Sequence, residues 1–188
     1  MSSTTSQPRT VAVANRGALD LKALTLYAIL LAVGFVLNMT VSKLFSSLTG
    51  GFLSPEFIIA AFCLEILIIK PKVPQAVALG LLAGAVIQIT ASVKLIDLIA
   101  EPVAAVVMAL LVSAFAKSSA TKALPLVATF VVTCVSGLIY AVIFSLVVMQ
   151  NPAFIGVMAP VVAGTGIANA VITAALYVPI KKALKLAD

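Results

Sequence analysis

The 188 residues contain no histidine and no tryptophan, and only six acidic side chains stand against twelve lysines and arginines. Without histidine there is no Ser-His-Asp arrangement, no His-bearing zinc set and no histidine ligand to a haem. The two cysteines, Cys63 and Cys134, both sit inside apolar runs and form no C-x-x-C, so they read as small hydrophobes. G-x-x-x-x-G-K-S/T, G-x-S-x-G and H-E-x-x-H are all missing, which removes a phosphate-cradling loop, a nucleophile elbow and a metalloprotease helix. No arginine-rich helix suggests voltage sensing. The chain is therefore expected not to be an enzyme and to hold neither metal nor cofactor.

Charged residues make up only 10% of the chain, hydrophobic ones 63%, and mean hydropathy is +1.25. Soluble domains carry about 25% charge and about 45–50% apolar residues. A fold this small has too little interior to hide so much apolar surface, so its solvent is lipid. The net charge of +6 lies at the ends of apolar runs, with no basic face for nucleic acid.

Crossing the hydrocarbon takes about 20 mainly apolar residues in a helix, the one open form whose backbone is satisfied from within. Six runs qualify: Leu21–Val41, Pro55–Ile69, Val73–Ala91, Ile96–Ala116, Ala123–Met149 and Ile155–Ala183. The expected fold is an all-α integral membrane protein with six transmembrane helices. Residues 1–20 form a polar tail, expected to be disordered and cytoplasmic, and residues 21–188 one transmembrane substrate-binding domain. With both termini on one side, ten lysines and arginines share that side, and only Lys43 and Lys94 fall opposite. Positive charge marks the cytoplasmic face, so both termini are expected to be cytoplasmic. The longest outer connection is then Ser42–Ser54, whose Gly50-Gly51 pair permits a mobile lid or a plain connector.

Polar residues gather at the outer ends of the runs. Asn38 ends the first, Glu56 starts the second, and Gln88 closes the third. Lys94 lies in the connection, with Asp97 and Glu101 four apart on one face of the fourth. Gln150 and Asn151 close the fifth. Apolar walls with a few converging polar groups are the usual form of a small-molecule site. Glu56 and Asp97 also suit caps at helix starts, where a carboxylate meets the positive end of the dipole. Asn169, in the middle of the sixth run, suits either a cross-helix bond or a ligand contact. Glu65 is expected either to snorkel toward Lys70 or Lys72 or to contact a partner. Tyr140 stands first among the aromatic candidates, with Phe35, Phe45, Phe52, Phe57, Phe144 and Phe154 beside it. Ala28 and Ala32, four apart, form a small-residue face that suits a partner helix or packing within the bundle. Gly80 with Gly84 allows the same two readings.

Five segments carry a resemblance. They are A-x-x-x-A at Ala28–Ala32, SPEF at Ser54–Phe57, IDLIAEPVAA at Ile96–Ala105, VTCVSGLIYAV at Val132–Val142 and ANAVITAALYVPIKKAL at Ala168–Leu184. With them the chain, from about Lys22 to Leu184, resembles the substrate-binding S components of energy-coupling factor (ECF) transporters. The nearest branch is the tryptophan-transporter-like one. The resemblance implies tight binding of a vitamin or similar micronutrient in a cavity near the outer face, in the plasma membrane of a prokaryote. It implies a transmembrane T component, met by Ala28 and Ala32, and two cytoplasmic ATPases as partners. ATP hydrolysis on those partners fits the missing phosphate loop. The residue before the fourth-run proline is basic in that branch and is Glu101 here. The ligand thus stays open among tryptophan, pantothenate, cobalamin, pyridoxine-type and thiamine-type vitamins. Two rivals remain: a self-sufficient secondary carrier using Asp97 or Glu101 for proton coupling, and an assembly protein with no ligand.

Overall fold

The computed structural model describes residues 19–116 and 122–184. Most of the expected tail, residues 1–18, lies outside the described residues, as do Lys117 and Lys185. Among the described residues there are helices and turns and no strands. Helix α1 (Leu21–Leu37) passes through a π-helical turn, Asn38–Ser42, into α2 (Lys43–Leu48). After it come α3 (Phe57–Ile69), α4 (Val73–Ile87) and α5 (Asp97–Phe115). Helix α6 (Leu124–Ile143) ends in a second π-helical turn, Phe144–Val148, and α7 (Ala153–Ala183) closes the chain.

The sequence marks the ends of these helices. Asp20 caps α1 by accepting the Ala23 N–H at 2.9 Å. Lys70 stops α3 in the left-handed region (φ 54°), and Pro71 follows where the helix cannot continue. Leu95 and Gln150 also take positive φ, at the turns before α5 and α7.

Helix α3 is the centre of the molecule. Its sequence is apolar on all sides, and Ile58 to Leu67 are all buried, as expected of a helix with no polar face. Helices α1, α4, α5, α6 and α7 all pack on it. The core gathers around Phe62, Ile66, Leu79 and Met108, and includes Tyr27, whose hydroxyl donates to the Leu79 carbonyl at 2.6 Å. Glu65 lies within this wrapped helix. It is fully buried, so it does not snorkel toward Lys70 or Lys72, which are exposed.

Four helices have the length and composition to cross a membrane: Leu21–Leu48, Asp97–Phe115, Leu124–Val148 and Ala153–Ala183. Helices α3 and α4 are apolar but shorter, at 13 and 15 residues. Large apolar side chains such as Ile29, Val33, Leu110, Leu138, Ile167 and Val171 are exposed around the outside. An apolar exterior on that scale requires a non-aqueous surrounding.

The glycines of α4 set how closely α5 approaches. A β-carbon on Gly80 would lie 2.6 Å from the Pro102 Cα and 2.7 Å from the Glu101 carbonyl. One on Gly84 would lie 2.7 Å from the Asp97 carbonyl. Of the two readings of this pair, the structure uses packing within the chain. Pro102 sits inside α5 as its sixth residue.

Candidate functional site

The cavity follows from unequal helix lengths. At a rise of about 1.5 Å per residue, α3 is only about 20 Å long. Its start is level with Asn38 and Asn169, which both bond to it. Beyond that level the chain runs on for ten residues to Leu48 in α2, and α7 reaches back sixteen to Ala153. These extensions, with the end of α6 and the start of α5, enclose a space of about 660 Å³ above α3.

Every helix except α1 contributes to its lining. Asn38, Met39 and Ser42 come from the π-helical turn after α1, and Lys43, Ser46 and Ser47 from α2. Ser54, Glu56, Ile58 and Ile59 come from the start of α3, Ile87, Thr90 and Ala91 from the end of α4, and Asp97 and Glu101 from α5. Thr133, Ser136, Gly137 and Tyr140 face in from α6, and Met158, Val161, Val162 and Thr165 from α7. A volume of this size lies within the range of about 300–1,000 Å³ that small-molecule sites occupy.

The start of α3 is held by two asparagines rather than by Glu56. Asn38 Oδ1 accepts the Phe57 N–H at 2.7 Å, while its Nδ2 donates to Glu56 Oε2 at 2.7 Å. Asn169 Oδ1 accepts the Glu56 N–H at 2.8 Å, and its Nδ2 donates to Thr133 Oγ1 at 3.3 Å. Glu56 makes no side-chain cap of its own. The amides take the helix donors and leave its carboxylate at the cavity wall. The π-helical turn presents Asn38 in this position, a common use of such turns at functional sites.

Gln88 and Lys94 stand behind Asp97. Gln88 Nε2 lies 3.5 Å from Asp97 Oδ2, a long contact, and its Oε1 accepts the Leu95 N–H at 2.8 Å. Lys94 Nζ donates to the Gln88 carbonyl at 2.6 Å and so closes the end of α4. Glu101 Oε1 accepts from Ser136 Oγ at 2.8 Å, tying α5 to α6.

Of the residues singled out from sequence, Asn38, Glu56, Asp97, Glu101 and Tyr140 line the cavity. Gln88, Lys94 and Asn169 do not; Gln88 and Asn169 bond to the lining residues Asp97 and Glu56, and Lys94 bonds to Gln88 behind them. Gln150 is exposed, and Asn151 caps α7 by accepting the Ala153 N–H at 3.0 Å. Tyr140 stacks on Phe144 with ring centroids 5.9 Å apart, and Phe154 meets Phe144 edge-on, but of these rings only Tyr140 reaches the cavity.

The connection Ser42–Ser54, open between a mobile lid and a plain connector, is helical as far as Leu48, and this helical part forms a wall of the cavity. Its cavity residues Met39, Ser42, Lys43, Ser46 and Ser47 recur at three- and four-residue spacing, the helical signal that the serines and the Gly50-Gly51 pair obscure. Lys43 was thereby missed, although it is the one basic side chain in the lining among the described residues. Ala28 and Ala32 are exposed on the outside of α1, away from the buried Gly34, which presses on the Phe57 carbonyl.

The arrangement offers hydroxyls, one amine and three carboxylates within apolar walls, which suits binding a small solute of mixed polarity. Among the described residues, no group of three or more His, Cys, Asp or Glu is placed to hold a metal ion. No curated protein and no solved structure matches the chain. A family model described as tryptophan transporter TrpP matches residues 20–185. The match spans nearly the whole sequence, and the chain belongs to the tryptophan transporter TrpP family, an S-component-type family of membrane transporters.

Proposed function

We propose that the chain is the solute-binding S component of an ECF-type importer and that its solute is an aromatic amino acid, tryptophan first. The observation that carries this is the cavity of about 660 Å³ with Lys43 and three carboxylates along apolar walls. A zwitterion needs both signs of charge, and an aromatic side chain needs apolar surface. The family name supplies tryptophan, and the vitamins named above are the competing solutes.

In this reading all six helical rods cross the bilayer and both ends face the cytoplasm. Lys22, Lys70, Lys72, Lys122, Lys181 and Lys182 lie at the helix ends away from the cavity, and Lys43 and Lys94 at the cavity end. That asymmetry supports a cavity opening to the outside of a prokaryotic cell. The T component docks on the exposed Ala28 and Ala32, where small side chains allow helices to approach closely. Two ATPases supply the energy, since the chain has no phosphate-binding loop.

A second reading, a self-sufficient proton-coupled carrier, is favoured by the burial of Asp97 and Glu101 in the cavity wall. Two measurements separate them. Purified protein without ATP binds one equivalent of tryptophan tighter than about micromolar, and vitamins bind more weakly. The chain alone in liposomes with a proton gradient takes up no tryptophan. Folded protein that binds neither tryptophan nor a vitamin at that affinity refutes the S-component reading. Gradient-driven uptake by the chain alone replaces it with the carrier.

A further inference from the structure

The polar groups of the cavity are ordered by depth. Lys43 is exposed at the mouth, Glu56 is half-buried, and Asp97 is 7% exposed at the first position of α5. Glu101, one turn further along α5, is 2% exposed. The shallower carboxylates have protein donors, Asn38 for Glu56 and Gln88 for Asp97. Glu101 uses Oε1 for Ser136, and its Oε2 finds no hydrogen-bond partner among the described residues. A buried acceptor left unmade is unfavourable, so a wall residue in this state is poised for a donor brought by the solute.

We propose that Glu101 Oε2 accepts the ring N–H of an indole, and that this bond makes the cavity select tryptophan over aromatic amino acids without a ring donor. The inference rests on the amino-acid reading above. The orientation follows from charge. The α-carboxylate and α-ammonium of an amino acid lie side by side and need both signs of partner together. Lys43 is the one basic residue in the lining, and it is at the mouth with Glu56 and Asp97 below it. A head group placed at the floor would set its carboxylate beside Glu101 with no cation to meet it. The head therefore stays at the mouth and the ring goes down between Ile58, Ile59 and Val162. Indole has one donor and no acceptor, and it arrives at the floor where an acceptor lacks a partner.

The test compares tryptophan with 3-benzothienylalanine, in which sulfur replaces the ring N–H in nearly the same shape. Titrations use full-length protein in lipid nanodiscs. Wild type is expected to bind the sulfur analogue about 100-fold or more weakly, since sites built around a substrate N–H reject analogues lacking it. Glu101→Gln keeps an acceptor and is expected to keep most of that ratio. Glu101→Met is expected to bring the ratio to near one. A wild-type ratio near one overturns the proposal and needs no variant to fold. The proposal also falls if Glu101→Met instead erases discrimination against indole-3-propionate, because Glu101 would then hold the ammonium. Wild type that binds a vitamin and no indole compound refutes the amino-acid reading itself, which separates that failure from this one.

Discussion

Replacing Asn38 with Ala should loosen the start of the central helix and the cavity wall together. The substitution removes two bonds of 2.7 Å, one accepting the Phe57 N–H and one donating to Glu56 Oε2. The first satisfies an amide that has no partner within its own helix, and losing such a cap costs about 1 kcal/mol. The second is a bond to a carboxylate, worth roughly 1.5–3 kcal/mol. Cross-helix bonds in membranes fall at the weak end of such ranges. The expected loss is then about 2.5 kcal/mol, or roughly 5–10 °C for a chain of this length. Unfolding in one detergent can be followed through the thiol of Cys63, which is free and buried until the core opens. Asn38→Asp separates the two roles. It keeps an acceptor for Phe57 but sets a second carboxylate against Glu56, so it should be at least as damaging as Ala. Adding Glu56→Gln to Asn38→Asp should recover part of the loss. A shift below 2 °C for Asn38→Ala, or wild-type melting of Asn38→Asp, would refute the account of how α3 is capped.

Three further outcomes are expected. Gly80→Ala should cost about 1–3 kcal/mol, because its β-carbon meets backbone 2.6 Å away at Pro102 and must push Glu101 aside. Gly156→Ala, with nothing within 4 Å, should melt like wild type, and equal effects in the two would undo the argument. Lys43→Gln should weaken tryptophan binding roughly threefold to fivefold at low salt and much less at 1 M, as befits an exposed ion pair; titrations at two ionic strengths check this. Ala28→Phe combined with Ala32→Phe should leave the binding affinity of purified protein unchanged and abolish uptake by cells, because the two residues face outward. A matching loss of binding would place them in the fold instead.

The helices were legible because lipid imposes a strong rule: an apolar run of sufficient length must be a helix. All six runs recur as helices, with ends displaced by a few residues. The burial of α3 was legible too, since FIIAAFCLEILII has no polar face. Glu65 shows the limit of that reasoning. Its place near Lys70 and Lys72 suggested reach to the interface, but α1, α4, α5, α6 and α7 all pack on its helix. Sequence distance to a lysine says nothing about which neighbours stand between. Lys43 shows the converse. The segment Ser42–Ser54, with four serines, a threonine and two glycines, has the composition of a loop, and only the three- and four-residue spacing of the cavity residues marks a helix.

The polar residues from Gln88 to Glu101 divide for a reason that sequence clustering cannot express. A helix end has unpaired backbone groups, and these claim the nearest polar side chains first. Gln88 takes the Leu95 amide, Lys94 takes the Gln88 carbonyl, Asn38 takes the Phe57 amide and Asn169 the Glu56 amide. What remains for a solute is the polar group beyond this demand, either freed by a better cap, as Glu56 is, or placed a full turn inside its helix, as Glu101 is. Burial then sharpens the difference. A polar atom near the mouth can exchange partners with water, whereas Glu101 Oε2, on a side chain only 2% exposed, cannot. The carboxylate of the cavity wall whose protein bonds are least complete is thus the one through which the cavity is best able to choose, and binding should depend more steeply on the solute's deep donor than on its head group.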